Sequence, residues 1–315
     1  MDRAIPSVFP VRGVVAWVMR LAAIDCGTNT VLLLVAELRP DRVPRLVKVA
    51  DFLEMPRLGL GTWPMNDSEA AETVALALDM GYRLIDTAEN YENERGVGEG
   101  IRRAGVARGE LFVTTKFNRK WHSVEGARQA CEASLERLGL DYIDLFLVHW
   151  PNPDQGRYVE AFEGLVKLQE AGLVRAIGTS NFKPAHLQQL FDRGLCPQVN
   201  QIHLDPWHAR SDHIDVHKAR GIVTESWSPL GRANAMLADP AILDVARRHG
   251  RTPAQVILRW HTQLGYVPIP KSSNPTRLAE NLDVFGFELS AEELAAIGAL
   301  DRPDPEMLDS DVFGH

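Results

Sequence analysis

The stretch SLERLGLDYIDLFLVHWP, residues 134–151, contains one complete repeat of the fold. Leu135 and Leu138 have the spacing of one helix face, and Gly139 follows them as glycine does at a helix end. The run YIDLFLV is apolar enough for a strand that is buried on both faces. His149 follows this run directly. The stretch therefore predicts a helix, a tight turn and a buried strand with a polar side chain at its end.

The same alternation recurs from residue 57 onward. Longer segments with helical periodicity separate eight short apolar runs, which are RLGLGTW, YRLIDTA, LFVTTK, YIDLFLVHW, RAIGTSN, QVNQIH, IVTESW and YVPIPK. Eight strand–helix alternations in roughly 250 residues predict the α/β class and a closed parallel (β/α)8 TIM barrel. An open doubly wound sheet would bring a glycine-rich loop after its first strand. The run GVGEG, residues 96–100, instead lies inside a helical segment.

Composition sets limits on partners and location. The chain has 315 residues, 45% hydrophobic and 24% charged, which is typical of a globular protein. A formal net charge of -8 argues against a nucleic-acid surface. No apolar run reaches the roughly 20 residues that span a bilayer. Cys26, Cys131 and Cys196 show no metal or redox spacing. We therefore predict a cytoplasmic monomer that binds neither nucleic acid nor membrane.

Four side chains of complementary acid–base type follow the predicted strands. Because the carboxyl ends of barrel strands meet at one mouth, Asp86, Tyr91, Lys116 and His149 are expected to lie together. Taken singly, each also fits a structural role such as a turn aromatic or a helix cap. Together they predict proton delivery by Tyr91 to a carbonyl oxygen. A nearby ammonium lowers the pKa of a phenol, so Lys116, paired with Asp86, is expected to lower that of Tyr91.

The sequence offers neither an activated nucleophile nor a metal site for this chemistry. His213 and His217 have the i, i+4 spacing of a helix face, but no H-E-x-x-H pattern accompanies them. His203 and His208 likewise lack a carboxylate with the spacing typical of metal ligands. We therefore predict no metal, and a hydride as the attacking group.

The last predicted strand indicates the hydride carrier. In IPKSSNPTRLAEN, residues 269–281, Lys271 ends a strand and a helix begins near Asn274. Backbone N–H groups at a helix start, together with Lys271, Ser272 and Arg277, suit a phosphate monoester. The 2′-phosphate of NADPH is such a group. The alternative is an ordinary solvated helix start.

From about residue 50 to 300 the chain resembles the aldo-keto reductase superfamily, and most closely the bacterial 2,5-diketo-D-gluconate reductase type. The motifs that carry the resemblance are MPRLGLGTW, GYRLIDTAENYENERGVGEGI, SLERLGLDYIDLFLVHWP, IGTSNF, NQIHLDP, SWSPLG and IPKSSNPTRLAENLDVFGFELS. The resemblance implies NADPH-dependent reduction of aldehydes and ketones, keto-sugars among them. It implies Tyr91 as general acid, Asp86 and Lys116 as its tuning pair, and His149 as the group that orients the substrate.

The resemblance also implies which residues hold the cofactor and the substrate. Trp63 and Trp150 would form walls of the substrate pocket. The nicotinamide carboxamide would be held by Ser180, Asn181 and Gln201, and its ring would stack on Trp227. The pyrophosphate would lie along Ser228, Leu230 and Gly231. The 2′-phosphate would be bound by Lys271, Ser272 and Arg277, and the adenine would lie beside Glu280 and Asn281.

Two positions depart from the pattern of this family. Asn118 stands where the family often has tryptophan, and Trp121 lies further along. His203 and Asp205 stand where glutamate and histidine are commoner. We expect the first change to affect substrate preference and the second to affect packing at the edge of the cofactor pocket.

Two alternatives concern the function and the first residues. The same barrel occurs in channel-associated regulatory subunits, which bind the cofactor with little turnover. Separately, LAAIDCGTNTVLLLVAEL, residues 21–38, resembles the first strands of exopolyphosphatase-type proteins of the actin-like ATPase fold. The rest of such an enzyme is absent. We therefore expect residues 1–45 to be an appended fragment that is poorly ordered or lies against the closed end of the barrel, and residues 46–315 to form the reductase domain.

Overall fold

The computed structural model describes residues 46–50, 53–233, 235–304 and 306–314. The predicted appended fragment, residues 1–45, lies outside these residues, as do its expected disorder and position. The first described elements are two strands, β1 (Leu46–Ala50) and β2 (Leu53–Pro56), which pair as an antiparallel hairpin. This hairpin was not predicted from the sequence.

The eight predicted strands are all present and form one parallel sheet in chain order. They are β3 (Leu60–Gly61), β4 (Leu84–Asp86), β5 (Phe112–Phe117), β6 (Ile143–Val148), β7 (Val174–Ser180), β8 (Val199–His203), β9 (Val223–Trp227) and β10 (Val267–Pro268). Strands β4, β5 and β6 are buried along their whole length, because helices cover one face and the barrel interior covers the other.

Backbone hydrogen bonds join the first and last strands of this sheet. Gly59 N donates to Pro268 O at 3.1 Å, and Gly61 N donates to Pro270 O at 3.2 Å. A Cβ at position 61 would lie 2.8 Å from Ile269 O, so the absence of a side chain permits this approach. The sheet therefore closes on itself, and the predicted (β/α)8 barrel is confirmed.

Helices connect successive strands around the barrel. They are α1 (Asp67–Met80), α2 (Glu94–Ala104), α3 (Val124–Leu138), α4 (Tyr158–Glu170), α5 (Pro184–Phe191), α6 (Ser211–Arg220), α7 (Pro240–His249), α8 (Pro253–Gln263), α9 (Pro275–Leu282) and α10 (Ala291–Gly298). Gly139 ends α3 with φ 66°, as its position in the sequence predicted. Within the described residues, none of the helices has the length and apolar character needed to cross a membrane.

The run GVGEG lies inside α2, as predicted, and it has a packing role. A Cβ at Gly96 would lie 2.1 Å from Asp67 O at the start of α1, and a Cβ at Gly98 would lie 2.1 Å from Leu138 O at the end of α3. Only glycine permits these contacts between neighbouring helices. The glycines therefore fix the start of α2, which directly follows the loop that carries Tyr91.

The hairpin packs against the lower part of the barrel interior. Val49, Leu53 and Met55 form one apolar cluster with side chains near the beginnings of the barrel strands, including Phe112 and Val199. Met55 is completely buried. The amino-terminal end of the barrel is therefore filled by apolar side chains, and the polar groups lie at the other end.

Candidate active site

The four predicted acid–base residues lie together at the carboxyl ends of three neighbouring strands. Asp86 ends β4, Lys116 lies near the end of β5, and His149 directly follows β6. Lys116 Nζ donates to Asp86 Oδ1 at 2.7 Å and lies 3.4 Å from the Tyr91 hydroxyl. The rings of Tyr91 and His149 meet edge to face, with centroids 5.8 Å apart. The predicted cluster is therefore present as a geometric unit.

A buried hydrogen-bond network holds the loop that carries Tyr91. Thr87 Oγ1 donates to Asn93 Oδ1 at 2.7 Å, and Asn93 Nδ2 donates to Thr62 O and Met65 O. Lys116 Nζ also donates to the carbonyl oxygen of Thr87 at 2.9 Å. These bonds tie both ends of the short 3₁₀ turn containing Tyr91 to the barrel, so the phenol is positioned before a substrate arrives.

The first departure from the family pattern adds a further support to this turn. Asn118 Nδ2 donates to Asn90 Oδ1 at 2.6 Å. The indole nitrogen of Trp121 donates to Glu89 Oε1 at 2.9 Å. Asn118, at the expected tryptophan position, and Trp121, three residues further along, thus both bind the turn that ends at Tyr91.

Burial and neighbouring charge shift the pKa values of Lys116 and Asp86 in opposite directions. Burial alone would lower the pKa of Lys116, but the charge of Asp86 and its hydrogen bond to the ammonium raise it above its ordinary value. Burial also raises the pKa of Asp86, and the Lys116 ammonium offsets part of that rise. Lys116 therefore remains a cation at neutral pH, and its neighbour Asp86 is its hydrogen-bonded counter-ion.

The net pKa of Tyr91 is raised rather than lowered, although Lys116 acts on it in the expected direction. Burial raises the pKa of the phenol, and the Lys116 ammonium lowers it by less than burial raises it. Negative charge on either of the two nearby acids, Asp86 and Glu225, raises it further. The phenol therefore keeps its proton at neutral pH, which is the form that a general acid requires.

Glu225 is a buried acid of this site that sequence reasoning missed. It lies inside β9 and is completely buried. Gln201 Nε2 donates to Glu225 Oε2 and to Asp86 Oδ2, both at 2.8 Å. Gln201, predicted to hold the nicotinamide carboxamide, thus has its amide nitrogen committed to two carboxyl groups. The sequence feature that could have identified Glu225 is an acidic residue inside the predicted strand IVTESW.

The residues predicted for the nicotinamide lie together beyond β7 and β9. Asn181, with φ 63°, donates from Nδ2 to His149 O at 3.1 Å and to Ser180 Oγ at 3.0 Å. Its Oδ1 accepts from Trp227 Nε1 at 2.8 Å. Asn181 thereby joins the histidine of the acid–base cluster to the indole predicted to stack on the cofactor.

The second departure from the family pattern lies behind this indole. The His203 ring stacks on Trp227, with centroids 4.4 Å apart and planes 14° from parallel. His203 Nε2 lies 3.1 Å from Asp205 Oδ2, and His208 Nδ1 lies 2.9 Å from Asp205 Oδ1. Burial alone would raise the pKa of Asp205, but its bonds to the two histidines lower it overall. This His–Asp–His network supports the Trp227 ring, as expected for a change at the pocket edge.

The predicted phosphate residues surround the start of α9. Lys271 and Arg277 are exposed, and Lys271 Nζ lies 3.1 Å from Glu69 Oε1. Pro275 has no N–H, and the Asn274 side chain accepts from Arg277 N at 3.1 Å. The helix start therefore has fewer free backbone donors than expected. Side chains are the main donors available to a phosphate here.

The remaining cofactor residues flank this phosphate region. Ser272 is buried, and its Oγ accepts from Asn274 N at 3.1 Å. On α9, Asn281 is buried and Glu280 is half-buried. The turn after β9 has positive φ at Ser228 and Gly231, with half-buried Leu230 between them, and Gly231 N donates to Ser228 O at 2.9 Å. A hydroxyl, an ammonium, a guanidinium and an amide thus form a donor set that fits a phosphorylated nucleotide.

Trp63 and Trp150, the predicted substrate walls, differ in exposure. Trp63 is 50% exposed, and the Arg232 guanidinium lies 5.5 Å from the centroid of its ring. Trp150 is buried and packs beside His149, with ring centroids 6.3 Å apart. The Phe313 ring meets Trp150 edge to face at 4.8 Å. Phe313, near the carboxyl terminus, was not predicted and packs against one of the two predicted substrate walls.

The segment that carries Phe313 is anchored to the same end of the barrel. Arg302 N donates to Trp207 O at 3.0 Å, and the Arg302 guanidinium lies 3.3 Å from the centroid of the Trp207 ring. Lys183 forms an ion pair with Asp309. Sequence patterns did not reveal this arrangement because the segment contains no regular periodicity.

Comparisons with known proteins give the family. The sequence profile of the Aldo/keto reductase family matches residues 57–302. An aldo-keto reductase of Mycolicibacterium vanbaalenii is 50% identical over 258 residues, covering 80% of this chain and 92% of that protein. A methylglyoxal reductase, DkgA, of Yersinia pestis is 46% identical over 274 residues, covering 84% and 98%. The 2,5-diketo-D-gluconic acid reductase B of a Corynebacterium species is 47% identical over 245 residues, covering 78% and 88%.

Solved structures agree with these sequence matches. The crystal structure of Gox0644 in its apo form has a TM-score of 0.81 and 44% identity, covering 85% of this chain and 98% of that chain. A mutant of Gox0644 in complex with NADPH has a TM-score of 0.81 and 43% identity, with the same coverage. The family match excludes residues 1–45 and gives no support to the predicted resemblance to exopolyphosphatase-type proteins. The chain belongs to the aldo/keto reductase family.

Proposed function

We propose that the protein reduces the carbonyl group of small aldehydes and ketones to an alcohol, with NADPH as cofactor. The observation that carries this proposal is the Lys116 ammonium, 2.7 Å from Asp86 Oδ1 and 3.4 Å from the Tyr91 hydroxyl. When bound, NADPH supplies the hydride that attacks the carbonyl carbon. Relatives named as reductases, and the NADPH complex of a similar structure, support this reaction class.

Each residue of the cluster has a distinct role in this proposal. Tyr91 donates its phenolic proton to the carbonyl oxygen, and Lys116 stabilises the phenolate that remains. Asp86 keeps the lysine charged and aimed at the phenol. His149 lies beside Tyr91, with ring centroids 5.8 Å apart, and donates a hydrogen bond that orients the substrate oxygen. Trp63 and Trp150 restrict which carbonyl compounds fit.

The residues predicted for the cofactor keep these assignments as part of the proposal. Ser180 and Asn181 would hold the carboxamide with Gln201, and Trp227 would stack on the nicotinamide ring. The other contacts, from the pyrophosphate to the adenine, would be made by Ser228, Leu230, Gly231, Lys271, Ser272, Arg277, Glu280 and Asn281. We propose a monomer as the assembly, with these residues and the acid–base cluster all within residues 46–315.

Replacing Lys271 and Arg277 together by alanine is expected to weaken NADPH binding about 100-fold and NADH binding less than about threefold. The physical reason is that each cation contributes a charge-assisted hydrogen bond, about 1.5–3 kcal/mol, only to the 2′-phosphate. Cofactor fluorescence titration measures both dissociation constants. The matched control replaces Arg102 and Arg103, two exposed cations of α2, and should change neither constant. Equal weakening of the two cofactors would remove Lys271 and Arg277 from the phosphate site.

We further propose that the chain is of the 2,5-diketo-D-gluconate reductase type. The motifs of its sequence and the 47% identity to the Corynebacterium reductase support this subgroup. The test is NADPH consumption with a panel containing methylglyoxal, 2,5-diketo-D-gluconate, a simple aldehyde and a simple ketone. Turnover of the dicarbonyl compounds above the simple ones is expected. If no carbonyl compound is reduced, the proposed function is wrong.

The alternative of a regulatory subunit with little turnover has no support from the relatives described above, which are named as reductases or aldo-keto reductases. The same panel separates the two functions, because a regulatory subunit would bind NADPH and leave every carbonyl compound unreduced. We therefore retain carbonyl reduction as the single proposed function.

A further inference from the structure

Glu225 is a buried carboxyl group to which the proposed reaction assigns no role. It lies at the centre of the barrel on β9, completely buried. One oxygen, Oε2, accepts from Gln201 Nε2 at 2.8 Å. Within the part of the chain that the structure describes, its other oxygen, Oε1, is buried without a hydrogen-bond partner. A fully ionised carboxylate in this position would lack the donors that compensate for lost hydration.

Gln201 links Glu225 to the acid–base cluster. The same amide nitrogen donates to Glu225 Oε2 and to Asp86 Oδ2, so each of its two N–H groups serves one carboxyl. Asp86 has an ammonium partner in Lys116 at 2.7 Å, whereas Glu225 has no ion pair within the described residues. Of the two carboxyl groups, Asp86 is therefore the one stabilised as an anion, and Glu225 is the one that holds a proton.

The charged groups around Glu225 favour the same assignment. Asp86 faces it from β4 and Lys116 from β5, and Tyr91 lies beyond the lysine. Burial, followed by repulsion from Asp86, raises the pKa of Glu225 to about 8. In the reverse direction, the charge of Glu225 raises the pKa of Tyr91. Glu225 and the phenol are thus electrostatically coupled across the barrel.

We propose that Glu225 is a positioning residue of the reaction, which acts through Gln201, Asp86 and Lys116 and sets the acid strength of Tyr91 according to whether Glu225 carries its proton. This inference rests on the proposed function of the site. With the proton in place, Gln201 and the lysine–aspartate pair keep their alignment and Tyr91 is a competent acid. Loss of the proton places a second negative charge beside the cluster, and Tyr91 becomes a weaker acid.

The pH dependence of the wild type and of Glu225→Gln tests this proposal. Because its pKa is raised, Glu225 is neutral below about pH 8 and ionised above it. The wild-type kcat for carbonyl reduction is therefore expected to fall about three- to tenfold as the pH rises through this value, the effect of about one pKa unit in a general acid. Glu225→Gln, whose amide cannot ionise, is expected to lose this step while the KM for NADPH changes less than about twofold.

Glu293→Gln is the control for a general loss of stability. Glu293 is a buried glutamate in the capping box of α10, and its pKa is lowered, so it does not titrate in this range. Its pH profile should follow that of the wild type. Superimposable profiles for Glu225→Gln and the wild type would overturn the proposal. A wild-type enzyme that reduces no carbonyl compound would instead disprove the proposed function itself, so the two failures are distinguishable.

A second measurement applies if Glu225→Gln does not fold. Infrared spectroscopy of the wild-type protein detects the carbonyl stretch of a buried protonated carboxylic acid. We expect this band at about pH 7 and its loss by about pH 9.5, as Glu225 ionises. If the wild type shows no protonated carboxyl band at neutral pH, Glu225 is ionised and the proposal is wrong.

Discussion

Replacing Tyr91 by phenylalanine is expected to lower kcat for carbonyl reduction about 1000-fold while NADPH binding stays within about twofold. The substitution removes only the hydroxyl group, 3.4 Å from Lys116 Nζ, and leaves the ring that packs against His149. A positioned general acid contributes about 100- to 10,000-fold to a rate, and the variant has no phenol to donate a proton at this position. NADPH consumption measures kcat, and cofactor fluorescence measures binding.

Tyr82→Phe is the matched control for this variant. Tyr82 is also buried, and its hydroxyl donates to Leu278 O at 2.9 Å, on the side of the barrel that packs against α9. Removing that hydroxyl costs one hydrogen bond, about 1 kcal/mol of stability, and should leave kcat unchanged. If Tyr91→Phe retains wild-type turnover, another group protonates the carbonyl oxygen and the proposed mechanism is wrong.

Lys116→Met is expected to lower the free energy of unfolding by about 3–5 kcal/mol as well as abolishing turnover. Lys116 is completely buried, so its removal leaves Asp86 without a counter-ion inside the barrel. Asp86 will then bind a proton in the folded state more tightly than in the unfolded state. Folding stability therefore falls as the pH rises above about 4, and the deficit shrinks towards acid pH. Denaturant unfolding at several pH values measures this dependence.

The double variant Asp86→Asn with Lys116→Met separates stability from catalysis. Since it contains no unpaired charge at these positions, it should recover to within about 2 kcal/mol of the wild type. Its turnover should remain absent, because no ammonium supports the Tyr91 phenolate. An equally large loss of stability in the single and double variants would show that packing around the Lys116 stem, rather than the unpaired carboxylate, causes the effect.

The repeating pattern of the sequence was sufficient for the barrel and for the position of the reactive groups. Every strand of a parallel barrel ends at the same mouth, so Asp86, Lys116 and His149 could be brought together from strand ends alone. The hairpin of β1 and β2 was missed, although Val47 and Val49 alternate with Lys48 as in a half-buried strand. The repeat of strands and helices begins only at residue 57, so these residues lay in the predicted reductase domain without a predicted element.

Quantities that depend on three-dimensional surroundings could not be predicted in this way. The net direction of the Tyr91 pKa depends on how deeply the phenol is buried, and periodicity gives no measure of that depth. Glu225 lies inside a strand rather than at its end, so a search of strand ends passes over it. The reduced number of free N–H groups at α9 depends on Asn274 binding Arg277 N, a contact that the residue order permits but does not require.

The apolar hairpin beneath the barrel has a consequence for the kinetics of the proposed reaction. Since Val49, Leu53 and Met55 fill the amino-terminal end, we expect both reactants to enter and leave at the opposite end, where the polar groups lie. A dinucleotide bound across that end would not exchange easily while a second molecule lay above its reactive ring. We therefore expect the nucleotide to bind first and to leave last, and its release to compete with the chemical step for control of the overall rate.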